Sequence, residues 1–233
     1  MKSLFFILFL FPLSLFSQNL VINSDFETKS GCPNASGQFV LAEEWFSPNI
    51  GTPDYFNDCS STLEYGTEFN CKGGQIPHSG HGYMGFLSEN LHNNEFFEYL
   101  ETHLNETLKS DQTYCIKLYV SLGDCDFALD ELGAVFSQSM IKIPQSKKIV
   151  IPYLPLTNGS VLSDTEKWMC IQGVYKAKGG EKYLTIGYFD KEDKFSRVRP
   201  NPKNDPTFKS AYYFIDDVSV IQVEDASSCK CTQ

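Results

Sequence analysis

Short alternating or β-branched runs recur along the chain, and the three- and four-residue spacing of an amphipathic helix is scarce. Strands are predicted over 20–27, 83–87, 96–104, 114–122, 133–137, 168–177, 183–189 and 212–223. The clearest is 114–122. There Tyr114, Ile116, Leu118, Val120 and Leu122 share one face, because successive strand side chains point to opposite sides. A strand of this kind is half-buried in an antiparallel sheet with one face on a core. Turn residues separate the runs, as in Cys71-Lys72-Gly73-Gly74, 155–159, Lys178-Gly179-Gly180 and 199–206. Eight strands without helices between them predict an all-β fold, a two-sheet antiparallel jelly-roll sandwich. No internal repeat or Pro- or Ser-rich linker divides the chain, so one domain is expected over 18–225 with a short Cys-containing tail at 226–233.

The N-terminus changes how the cysteines are read. Lys2 precedes an apolar run over 4–16, shorter than the roughly twenty residues a membrane helix needs, so 1–17 reads as a secretory signal peptide cleaved after Ser17. No later stretch has the length and apolarity of a membrane helix, and the protein is expected not to be integral to a membrane. Export makes disulfides the expected state of the eight cysteines. Cys115 and Cys170 both fall inside strands and are expected to bridge across neighbouring strands or across the sandwich; Cys32 and Cys59 would staple the long early loop. Cys229-Lys230-Cys231 could contribute to a zinc site, but nothing nearby in sequence completes four ligands, and a bridged or loose tail is the competing reading.

Composition narrows the function classes. With 42% hydrophobic and 14% aromatic residues the chain has ample material for a core, which excludes disorder. The formal net charge of -10 excludes nucleic acid as a principal partner, since such binding rests on Lys and Arg neutralising phosphates. The chain lacks the metalloprotease helix motif, the nucleophile elbow, the P-loop and the dinucleotide fingerprint. His78 and His81, flanking Ser79 and Gly80, are the best catalytic or metal suspects, set against a reading as loop residues at a strand start. Asp124, Asp126, Asp130 and Glu131 form a local acidic cluster, read either as a second calcium site or as a solvated face. The chain is expected not to be an enzyme.

Within 212–220, Phe214, Asp216, Val218 and Val220 share one parity. A carboxylate among apolar neighbours is costly to bury unless a cation or several donors meet it. Asp216 is therefore either a strand acid taking backbone hydrogen bonds or part of a hard-cation site.

The opening segment Asn19-Leu20-Val21-Ile22-Asn23-Ser24-Asp25-Phe26-Glu27, paired with the closing Tyr213-Phe214-Ile215-Asp216-Asp217-Val218-Ser219-Val220, resembles the calcium-stabilised jelly rolls of the carbohydrate-binding-module and galactose-binding-like superfamily. Trp45-Phe46-Ser47-Pro48, the run from Gly51 to Cys59, Pro77-His78-Ser79-Gly80 and Gly82-Tyr83-Met84-Gly85 are similar to secreted Bacteroidetes domains found ahead of OmpA-like domains or in gliding-associated surface proteins. The resemblance implies a structural Ca2+ joining the first and last strands, held by Glu27 and Asp216 with Asp217 as a third ligand. The chain is expected to depart from those relatives in carrying no OmpA-like partner or C-terminal sorting domain after Val223. The implied location is secreted, periplasmic or on the outer cell surface.

Sugars present apolar faces that stack on aromatic rings. Trp45, Phe46, Tyr55 and Phe56 lie in the long early loop, and Trp45 and Tyr55 are the candidate ligand-binding residues, against the alternative that these rings fill the core. The function expected is non-catalytic binding of a glycan or another cell-envelope component. The rivals are an envelope structural or adhesion protein making protein contacts and, further back, a hydrolase.

Overall fold

In the computed structural model the described residues are 18–90, 96–125, 127–189 and 210–231. They form ten strands in chain order: β1 (Trp45–Phe46), β2 (Asp54–Asn57), β3 (Gly82–Asn90), β4 (Leu100–His103), β5 (Thr113–Leu122), β6 (Leu132–Ser137), β7 (Leu154–Leu156), β8 (Met169–Lys176), β9 (Tyr183–Gly187) and β10 (Ser210–Val223). All pairings are antiparallel, in two five-stranded sheets ordered β1-β4-β9-β6-β7 and β2-β3-β10-β5-β8. This is the two-sheet jelly-roll sandwich expected. The signal peptide expected over 1–17 lies outside the described residues, as do the whole 199–206 turn and Asp126.

The core follows from alternation. Tyr114, Ile116, Leu118, Val120 and Leu122 are all buried in β5, and in β10 their partners Val220, Ile215 and Tyr213 share that face. The interior also holds Phe26, Trp45, Tyr55, Phe86, Tyr99 and Phe189, each at most 2% exposed. Burying such rings contributes roughly 1.5–3 kcal/mol apiece before entropy is counted.

The opening segment departs from the expected strand over 20–27. It makes one bridge, Val21 to Leu104, and then turns, with Asn23 and Phe26 at φ 49° and 58°. The Asn23 side chain accepts from Thr28 N at 2.8 Å and donates to the carbonyls of Thr28 and Glu43 at 2.8 and 2.7 Å. A short amide that bonds its local backbone competes with a sheet ladder, and here it wins. The chain end stays pinned to β10 through Leu20 N to Val220 O at 2.9 Å and Val218 N to Ser24 O at 2.8 Å. The expected strand over 96–104 forms only at β4.

The second sheet is covered on its outer face as well. Phe56, Tyr83 and Phe214 project there and pack at centroid distances of 5.5, 5.0 and 5.6 Å. Residues 58–79 fold over them. Tyr83 Oη donates to Thr67 O at 2.8 Å and accepts from Gln75 N and Asn70 Nδ2 at 3.0 and 2.9 Å, tying the loop down.

The disulfides correct one pairing. Cys32 and Cys59 are bridged, but Cys115 pairs with Cys229 and Cys170 with Cys231, so there is no Cys115–Cys170 bond. Cys115 lies opposite Val174 and Cys170 opposite Tyr119, which separates the two sulfurs by several rungs of the same β5–β8 ladder. The tail supplies a partner for each. Among the described residues no helix is long and apolar enough to cross a membrane.

Candidate functional site

Between the 58–79 loop and the tail, the outer face of β5 and β8 lies in a groove of about 710 Å3. Tyr119 and Gln172 form its floor, opposite Cys170 and Lys117 respectively in the ladder. Trp168 enters just before β8 and anchors its Nε1 on Ile76 O at 2.7 Å. Its ring meets His78 and Tyr83 edge-on, at 6.2 and 5.7 Å. Asn158 and Ser160 line one rim, joined by Ser160 Oγ donating to Asn158 Oδ1 at 2.7 Å. Gln172 Oε1 is buried with no hydrogen-bond partner among the described residues.

Three carboxylates position the His78 side. The backbone N–H groups of His78 and Ser79 donate to Asp216 Oδ2 at 2.9 and 3.2 Å, and Asp217 N donates to Oδ1 at 2.8 Å. Asp217 stands on a bulge of β10 with φ 47°, a conformation a short acidic side chain tolerates. It accepts from Ser79 Oγ at 2.8 Å and pairs with His78 Nδ1. Glu27 Oε1 accepts from His81 N and Gly82 N at 2.6 and 2.9 Å. Gly80 between them is at φ 61°, where an added Cβ would lie 2.4 Å from Glu27 Cδ. Only glycine fits that contact.

Glu27 and the adjacent pair Asp216 and Asp217, from opposite ends of the chain, thus converge on one turn at 78–82. Each takes backbone or hydroxyl donors there, and among the described residues no three His, Cys, Asp or Glu side chains are grouped to hold a metal. Asp216 is nevertheless fully buried, and its carboxyl is pushed up to about 8, foremost by burial and then by the Asp217 charge beside it. A buried acid in this state is a group that a cation would relieve.

His78 and His81 do not form a shared site. His81 pairs with Asp58 at 2.7 Å, which raises its imidazole above the ordinary range. The Ser79 hydroxyl is spent on Asp217, so Ser79 and His78 do not make a nucleophile–base pair. In the acidic cluster, Asp124 is exposed and Glu131 accepts from Tyr153 Oη at 2.6 Å.

Trp45 and Tyr55 are not a platform. Trp45 is 2% exposed and donates Nε1 to Asn23 O at 2.9 Å; Tyr55 is fully buried, and its Oη donates to Phe26 O at 2.9 Å while accepting from Asn57 Nδ2. Both rings clamp the opening turn from inside, since their polar ends find carbonyls there. The aromatic material of the groove is instead Trp168, Tyr119 and His78. A sequence signal existed: Tyr119 has the parity opposite to the core face of 114–122, and Trp168 is the second of only 2 tryptophans.

No protein-family model and no curated protein sequence matches the chain. Among solved structures it is similar to the CBM22-1 xylan-binding domain of Paenibacillus barcinonensis Xyn10C, at 15% identity and TM-score 0.41, over 87% of this chain and 93% of that one. It is similar to the K3 cleaved adhesin domain of Lys-gingipain from Porphyromonas gingivalis, at 15% identity and TM-score 0.38, over 86% and 96%. A third is TmCBM61, solved with β-1,4-galactotriose, at 12% identity and TM-score 0.34, over 89% and 100%.

Proposed function

We propose that the protein is an exported, non-catalytic sandwich module that binds a glycan, such as a cell-envelope polysaccharide, in the groove over β5 and β8. The observation that carries this reading is the groove's composition: aromatic surface from Trp168, Tyr119 and His78 beside amide and hydroxyl groups from Gln172, Asn158 and Ser160. Rings take the apolar faces of sugars, and the polar groups take their hydroxyls. The three bridges support export, because such bonds persist in oxidising compartments.

Calcium is proposed as a structural ion at the 78–82 turn, with Glu27, Asp216 and Asp217 as its side-chain ligands and backbone carbonyls completing the set. Its support is the buried, proton-holding state of Asp216.

Protein contacts remain a second reading on one observation. Leu63 and Phe69 are 81% and 69% exposed at the tip of the 58–79 loop, beside a hollow of about 300 Å3. A glycan array with wild type and Trp168→Ala separates the two. Binding by wild type and its loss in the variant are expected, while an array with no binders removes the glycan reading.

A further inference from the structure

Lys230 lies in the tail between two bridged cysteines. Cys229 on one side is bridged to Cys115 of β5, and Cys231 on the other is bridged to Cys170 of β8. Its own carbonyl accepts from Lys117 Nζ at 2.6 Å. Cys170, Lys230 and Cys231 all line the groove, so the strapped tail is one of its walls.

Charge distinguishes that wall. The protein carries a formal net charge of -10, yet none of the groove's lining residues is Asp or Glu. Lys230 makes no ion pair among the described residues, and Lys117 places a second ammonium beneath the same strap. Asp225 lies near enough to feel Lys230, but its carboxyl is held low mainly by the N–H of Ser227. The acids nearest the groove are Asp217, paired with His78, and Asp164 and Glu166, which line a neighbouring hollow that shares Asn158 and Ser160; none of them is paired with Lys230. A flexible surface lysine loses much of its binding gain to side-chain and backbone ordering, whereas a backbone fixed on both sides has lost part of that entropy on folding.

We propose that the groove selects acidic glycans, those bearing carboxylate or sulfate groups, and that Lys230 is its specificity-determining residue. This rests on the glycan reading of the groove and goes further in naming the ligand's charge. An anionic group would sit against the strapped wall, with its sugar ring on the aromatic side.

The test compares a short oligogalacturonate with a neutral oligogalactoside of matched length on the full secreted chain, by calorimetric titration. The acidic probe is expected to bind roughly fivefold to tenfold tighter at low salt, with the difference shrinking at about 0.5 M salt. Lys230→Gln, which leaves both bridges in place, should equalise the two probes. Trp168→Ala should weaken both. Equal binding of the two probes by wild type overturns the proposal while leaving the glycan reading intact. An acidic preference that survives Lys230→Gln overturns the assignment to this residue. If neither probe binds and the glycan array is also empty, the glycan reading falls and this inference with it.

Discussion

The imidazole of His78 lies face to face with the phenol of Tyr119, with ring centroids 3.6 Å apart and planes 19° from parallel. One ring comes from the turn at 78–82 and the other from β5, so the stack joins the loop to the floor of the groove. His78 is held at its Nδ1 edge by Asp217. Its role could be to present a ring face or to present a charge, and substitutions separate the two. His78→Phe keeps the face and removes the Asp217 pairing; it should hold glycan affinity within about threefold, while His78→Ala should lose roughly tenfold. Equal losses in both variants would assign the role to the Asp217 pairing instead.

Burial divides the aromatic residues into two groups with opposite expected phenotypes. Trp45→Ala removes a ring packed 4.9 Å from Phe26 and should cost about 3–5 kcal/mol of stability. Tyr55→Phe keeps the ring but deprives Phe26 O and Asn57 Nδ2 of a partner, at about 1–3 kcal/mol. Neither change should alter glycan affinity of the folded fraction. Trp168→Ala should do the reverse, with a small change in melting temperature and a large one in binding. Denaturant titration beside calorimetry reads both.

The contrast shows what was legible in the sequence. Alternation in 114–122 located a strand, its buried face and the sandwich, because period-two patterning is a direct print of one-sided burial. β2 left no such print: all four of Asp54, Tyr55, Phe56 and Asn57 are buried, since the 58–79 loop covers the outer face of their sheet. Two-residue β1 and three-residue β7, with Pro155 at its centre, are too short to show a period. Glu27, Asp216 and Asp217 meet the 78–82 turn through its backbone and hydroxyl donors, and no spacing in the sequence displays that meeting. The groove was not legible either, because it is assembled from a loop, two strands and a tail that meet only in three dimensions.

The two tail bridges make a prediction independent of any ligand. Peptide mapping of unreduced protein should recover the links 115–229 and 170–231 and no link between 115 and 170. Each bridge closes a long loop, with separations of 114 and 61 residues, and removing one should cost about 2–4 kcal/mol. Recovery of a 115–170 link would undo the strapped wall and the role given to Lys230 together.

Asp216 ties stability to pH in a direction that calcium would reverse. Its folded carboxyl is pushed up to about 8 by burial and by Asp217, far above the ordinary value of 3.8. Between ~pH 4 and ~pH 8 the native chain therefore holds a proton that the unfolded chain has already released, so stability falls as pH rises across that window. Glu98, pushed up to about 7 mainly by burial, adds a contribution of the same sign. In chelator, the melting temperature should decline from about pH 5 to about pH 9, and Asp216→Asn should flatten the decline to the share left by the other raised groups, Glu98, Glu101 and His81. A calcium ion takes the ionised carboxylate in place of the proton, so the stabilisation it adds should grow over the same interval and vanish at low pH. Differential scanning calorimetry of metal-stripped protein, with and without added calcium, reads both slopes. A melting temperature indifferent to calcium at about pH 8.5, where the carboxylate is mostly ionised, would reduce Asp216 to an acid satisfied by backbone donors and its own proton.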